Sequence, residues 1–192
     1  MDKPERIVRD PEELRVLAHP VRMRIRQALY ERGQATATEL AELIGESPAN
    51  CSWHLRQLAK YHFVEEGEGG RGRNRPWRPA LYTLSWGTSD DVGAAAVAGD
   101  ALSSMIIEQE FAGLRDWQAW HRTDPPEWQD AATFAQAVDW LTAEELAELN
   151  KTLVDIVVRG RKRRDDPAQR PAGARRVRIF AWAVPAEPSA AD

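Results

Sequence analysis

The feature that most constrains this chain is a rapid succession of helix start and stop signals between residues 10 and 60. Asp10-Pro11-Glu12-Glu13 offers a capping Asp, a Pro suited to the first helical position and acidic residues in the first turn. Leu14, Leu17 and Ala18 supply the apolar stripe behind it. Pro20 opens a second segment, with Val21, Ile25, Ala28 and Leu29 at helical spacing and Gly33 near its end. Thr36-Ala37-Thr38-Glu39 is a capping-box sequence, in which hydroxyl and carboxylate each satisfy a free backbone amide. Its helix runs through Leu40, Leu43 and Ile44 and stops at Gly45; Ser47-Pro48 then starts another, carrying Cys51, Leu55 and Leu58. Helices this short are marginal in isolation and have to pack on one another.

Two such helices joined by a Gly-containing turn form a helix-turn-helix arrangement. A strand-like Phe63-Val64-Glu65 follows, then Gly-rich residues 67–75, then the apolar run Ala80-Leu81-Tyr82-Thr83-Leu84. These read as a β-hairpin with a long tip, and the combination is a winged helix. The domain boundary is expected near Trp86, dividing the 192 residues into 1–86 and 87–192. Net charge is −4, which taken alone argues against a nucleic-acid partner. It is unevenly spread: 14 Lys and Arg face 12 Asp and Glu in residues 1–86, against 12 and 18 in the remainder. Binding depends on the local patch, so the average excludes nothing.

The last of these helices has a chemically distinct polar side. Cys51, Leu55 and Leu58 should pack inward, which leaves Asn50, Ser52, Trp53, His54, Arg56 and Gln57 on the other faces. Asn and Gln can pair bidentately with adenine in the major groove, while Arg56 and Ser52 suit guanine or phosphate. Ser47 and the free amides at the helix start can hold a phosphate. Residues 71–78, Arg-Gly-Arg-Asn-Arg-Pro-Trp-Arg, put Arg71, Arg73 and Arg75 on the wing tip. Arginine answers the enhanced negative potential of a narrow minor groove. The competing readings are a solvated helix face and a solvated loop.

Three fragments, in this order, carry a resemblance: Leu17-Ala18-His19-Pro20-Val21-Arg22-Met23-Arg24-Ile25, Thr38-Glu39-Leu40-Ala41, and Ser52-Trp53-His54-Leu55-Arg56-Gln57-Leu58. Over roughly residues 10–86 the chain resembles the ArsR-like family of bacterial winged-helix transcriptional regulators. The resemblance implies that the Ser-x-His-Leu-x-x-Leu helix is the recognition helix, that His54 contacts DNA, and that the protein is a homodimer, usually a repressor. It also directs attention to metal sensing. At the positions where some members carry paired cysteines this chain has Ala41 and Leu43, and residues 89–120 contain no His. Neither a metal nor a cofactor is therefore expected. With a single cysteine, Cys51, no intrachain disulfide is possible, and a lone Cys in an apolar stripe reads as core. No phosphate loop, paired His-acid motif or nucleophile elbow marks an enzyme. The N-terminus lacks a signal-peptide stretch and no apolar run suggests a membrane span, so a cytoplasmic setting is expected.

The second half is less explicit. A long helix is expected from Ser89 to about Arg122; at 1.5 Å per residue its ~34 residues would span roughly 50 Å. Such an arm suits dimerisation, and two-fold symmetry would match a palindromic operator. Thr142-Ala143-Glu144-Glu145 is a second capping box, leading a helix through Leu146, Leu149, Leu153, Ile156 and Val157. Residues 132–141 fit either helix or strand, and 175–184 alternates Val177, Ile179, Ala181 and Ala183 with Arg176, Arg178, Phe180 and Trp182. The expected fold class is thus α+β and mostly helical: an N-terminal winged helix-turn-helix, a long dimerisation helix and a small strand–helix–strand unit. Five of the eight Trp fall in this half. They suit a core, a dimer interface or an apolar effector pocket, for which Trp117, Trp120 and His121 are the candidates. The function read from the sequence is a DNA-binding regulator whose partners are double-stranded DNA, a second copy and, if the pocket exists, a small apolar effector. The alternative from a different class is a protein-docking module, supported by Trp53 at a usually polar position.

Overall fold

Local signals and helices coincide closely in the first part of the chain. The computed structural model describes residues 5–70, 74–80, 82–160, 162–163 and 166–187. Helix α1 (Pro11–Leu17) starts on Asp10, whose side chain accepts from the Glu12 amide. Helix α2 (Pro20–Arg32) is capped by His19, and α3 (Ala37–Ile44) by a complete Thr36–Glu39 capping box. Helix α4 (Pro48–Lys60) starts on Ser47, whose Oγ accepts from the Asn50 amide at 3.1 Å. Cys51, Leu55 and Leu58 are fully buried, as their spacing predicts, and join Leu14, Leu17, Ile25, Leu29, Leu40 and Phe63 in one core.

The strands differ from expectation in their pairing. Strand β2 (Val64–Glu66) pairs antiparallel with β3 (Trp77–Pro79), in the register Val64↔Pro79, Glu65↔Arg78, Glu66↔Trp77. Trp77 also exchanges both backbone hydrogen bonds with Ala35, so the wing is anchored to the segment between α2 and α3. Pro79 closes β3 because it has no amide to contribute to a ladder. The next strand, β4 (Thr83–Ser85), does not return to β2; it pairs in parallel with β1 (Glu5–Ile7). Leu81 lies outside the described residues. Arg6 fastens this small sheet: it donates to Tyr61 O (2.7 Å), Tyr82 Oη (2.9 Å) and Glu13 Oε2 (2.7 Å), with its guanidinium over the Phe63 ring.

Helix α5 (Ala94–Trp120) continues into a 3-10 turn at His121–Thr123, so the long helix is formed but starts five residues later than expected. Its first turns complete the core with Ala98 and Leu102, and Gly99 passes close to Trp86, whose indole N–H donates to Ser103 Oγ at 3.0 Å. By contacts the chain divides into two units, residues 1–109 with 164–168, and residues 110–163 with 169–192. The second contains α6 (Pro126–Ala131) and α7 (Ala143–Val158), and α7 begins on the Thr142–Glu145 capping box. The strand–helix–strand unit is not formed as such: neither 132–141 nor 175–184 is a strand among the described residues. A strand exists only through its ladder, and 133–141 and 177–187 exchange no backbone–backbone hydrogen bond with a described residue.

These packing differences set an order of sensitivities. Leu55→Ala should destabilise the first unit by about 2–5 kcal/mol through cavity formation, whereas Thr36→Ala should cost about 1 kcal/mol through loss of a cap. Urea unfolding monitored by circular dichroism measures both; an equal effect would mean that α4 is not packed as described.

Candidate nucleic-acid interface

The turn between α3 and α4 is held from three directions. Gly45 adopts φ +68°, a left-handed conformation that costs glycine little. Arg24 on α2 donates to Ile44 O (2.6 Å) and Glu46 Oε1 (2.8 Å), and Asn50 Nδ2 donates to Glu46 Oε2 (2.8 Å). The Asn50 hydrogen bond, followed by Arg24, holds the Glu46 carboxyl below its usual pKa. These contacts fix where α4 begins and hence which side chains it presents.

The outward stripe of α4 is Ala49, Ser52, Trp53, Arg56 and Lys60, at helical spacing. Arg56 is exposed and donates to Ser52 Oγ at 2.9 Å. Trp53 is 46% exposed although one side of its ring meets His54, with centroids 4.7 Å apart. Ser47 is exposed at the cap, while Asn50 and Gln57 are half-buried.

His54 is the correction. It is 3% exposed and faces inward, where its Nδ1 accepts from Arg22 Nε at 3.3 Å. Lying three residues after Cys51 and four before Leu58, it belongs to the apolar stripe rather than the polar face. Arg22 is itself buried and donates to Val16 O at 2.9 Å, with Trp53 closing the site at 5.7 Å from guanidinium to ring. His19 packs on His54 with ring centroids 4.6 Å apart, and its own Nδ1 accepts from the Val21 amide. Accepting at Nδ1 requires a neutral imidazole with its proton on Nε2. Burial, then the neighbouring His19 and Arg22 charges, pushes the His54 pKa down; burial and Arg22 do the same for His19. Cys51 lies fully buried, and burial raises its thiol pKa, opposing nucleophilic use.

On the wing, Arg75 pairs with Glu66, and Arg78 with Glu65 at 3.1 Å. Exposed pairs of this kind are worth roughly 0–1 kcal/mol, so they hold these arginines only weakly. Arg71 and Arg73 lie outside the described residues. In the second unit, Trp117 and His121 stack with centroids 4.6 Å apart, and His121 Nδ1 donates to Gln118 O. Trp120 is 43% exposed, so two of the three candidate pocket residues stack on the helix surface and the third stands in solvent. Sequence reasoning did not single out Arg6, Arg22, Arg24 or Glu46, which position the site without being on its outward face.

Residues 17–66, which span α2 to β2, match the family model of a helix-turn-helix domain. No match was found among curated proteins. The chain therefore carries a helix-turn-helix domain, an architecture that places its second helix in the major groove of DNA and is typically non-enzymatic. Among the described residues no helix is long and apolar enough to cross a membrane.

The buried histidines set a pH dependence. Both have lowered pKa values in the folded chain, so the unfolded chain binds more protons as pH falls through the ordinary imidazole value of 6.5. Their neutral forms contribute full stability above that value and lose it below. The urea midpoint should therefore fall between pH 7.5 and 5.5, and fall less in His54→Gln, whose amide oxygen can still accept from Arg22. The lowered Glu39 and Glu46 carboxyls act below the ordinary carboxyl value of 4.5, outside this window. A midpoint that rises on acidification would refute the neutral arrangement.

Proposed function

We propose that this chain is a sequence-specific DNA-binding transcriptional regulator, a cytoplasmic ArsR-like homodimer that represses from a palindromic operator. The observation that carries the reading is the presentation of α4: a helix fixed at its start by Gly45 and Glu46, anchored inward through His54 and Arg22, with Trp53 and Arg56 turned outward. Residues 1–86 form the DNA-reading domain, to which the first turns of α5 add core, and 87–192 form the pairing and effector-responsive domain. Ser47, Ser52, Trp53, Arg56 and Gln57, with Asn50 at the rim, contact the major groove. Arg71, Arg73 and Arg75 contact the adjacent backbone and minor groove. His54 serves by orienting the helix. Trp117, Trp120 and His121 are the candidate contacts for a small apolar effector, and neither metal nor cofactor is assigned a role.

A second reading rests on the exposure of Trp53, which suits a winged helix used as a docking platform for another protein. A gel shift separates the two. A fragment from upstream of the protein's own gene should bind about 1,000-fold or more tighter than random DNA at physiological salt. No preference between the fragments would overturn the regulator reading. Replacing Arg71, Arg73 and Arg75 with Ala should weaken binding and flatten its salt dependence, which for six phosphate contacts has a log–log slope of roughly −5. Unchanged affinity and slope would remove the wing from the interface.

A further inference from the structure

Every buried side chain among the described residues lies at or before Leu102, and no described residue of the second unit is buried. Its sequence is nonetheless patterned for burial. Helix α7 carries an apolar ridge through Leu149, Leu153 and Ile156, and 177–184 alternates as a strand does. Trp140 is 89% exposed and Trp182 64%. A unit patterned for burial that only half-buries Leu114, Trp117, Trp128, Leu146 and Leu153 has little of the hydrophobic term that offsets the entropy of ordering it.

We propose that a second copy of this chain covers this unit, with residues 177–184 pairing antiparallel to the same segment of that copy across a two-fold axis. Area supports the occupant. Fifteen large apolar side chains of the unit are exposed. They present on the order of 1,500 Å² of surface, against roughly 800 Å² buried per partner in a standard interface. Backbone geometry supports the segment. Asn150 Nδ2 donates to Ala183 O at 3.1 Å, so α7 occupies the edge to which Ala183 points. Alternate strand residues address opposite edges, which leaves Arg178, Phe180 and Trp182 facing the open one.

Charge supports the register. Pairing centred on Phe180 places Arg178 opposite Trp182, a cation over an aromatic, and sets no arginine opposite its own copy. Ile179 then meets Ala181 and Val177 meets Ala183 on the other face. Glu110 holds the Arg178 guanidinium at 2.9 Å, over Gly113 on α5, which fixes this segment to the helix of its own copy. A two-fold contact of this kind is self-complementary and closes at two copies.

The pairing deepens the homodimer part of the proposed function and rests on it, while owing nothing to DNA recognition. It is tested on the full chain by hydrogen exchange read residue by residue, alongside sedimentation over a dilution series. A dimer is expected at micromolar concentration, with the Arg178, Phe180 and Trp182 amides protected at least tenfold and the protection lost on dilution to monomer. Phe180→Pro removes a ladder donor from each strand and should weaken the dimer at least tenfold. Unchanged exchange in α4 confirms that this variant still folds its first unit. A monomer at all concentrations overturns both the pairing and the homodimer. A dimer with unprotected amides at 177–184, or protection that persists in the monomer, overturns the pairing alone.

Discussion

The buried contact between Arg22 and His54 is the interaction on which the presentation of α4 depends. It joins the helix that faces outward to the helix that supports it. A guanidinium taken out of water needs acceptors, and this one finds the Val16 carbonyl and the His54 ring. The imidazole can accept only while neutral, so burial does more than depress a pKa: it fixes the protonation state that makes the contact possible. Three basic side chains stand within one small volume: Arg22 is always charged, and burial favours the neutral forms of His19 and His54. Trp53 spans the boundary of that volume, edge-on to His54 within and solvated without.

The distribution of buried surface divides the chain more sharply than its charge does. The first unit has a continuous core to which five helices contribute, together with residues beside and within the short strands. The second has well-capped helices and wide apolar faces with no interior. Capping boxes and helix length are local properties, so the start and extent of α7 are specified without a core partner. Strand formation is not local, which explains why the same unit has regular helices and irregular segments where the sequence alternates.

What was legible in the sequence follows the same division between local and distant causes. Four successive helices from Pro11 to Lys60 could be placed because each is announced by a cap, a proline or a glycine within a few residues of its end. The inward stripe of α4 was legible too, and its spacing placed His54 on that stripe as clearly as Cys51; a polar side chain within a DNA-binding pattern obscured it. The pairing of β1 with β4 was not legible. Both strands have three residues, and Glu5-Arg6-Ile7 lacks the alternation that marks a half-buried strand. Strand β3 was hidden by flanking prolines, and Arg22 and Arg6 by being cations, a class seldom found inside unless paired.

Parallel pairing of β1 with β4 also orders events in time. Arg6 reaches Tyr82 Oη across 76 residues of chain, and Val8 donates to Ser85 O. During synthesis the helices from α1 to α4 can dock as they emerge, yet the first strand has no ladder partner until the residues beyond the wing are made. The earliest part of the described fold to leave the ribosome is therefore among the last to be secured, and closure of the domain waits on a contact of high sequence separation.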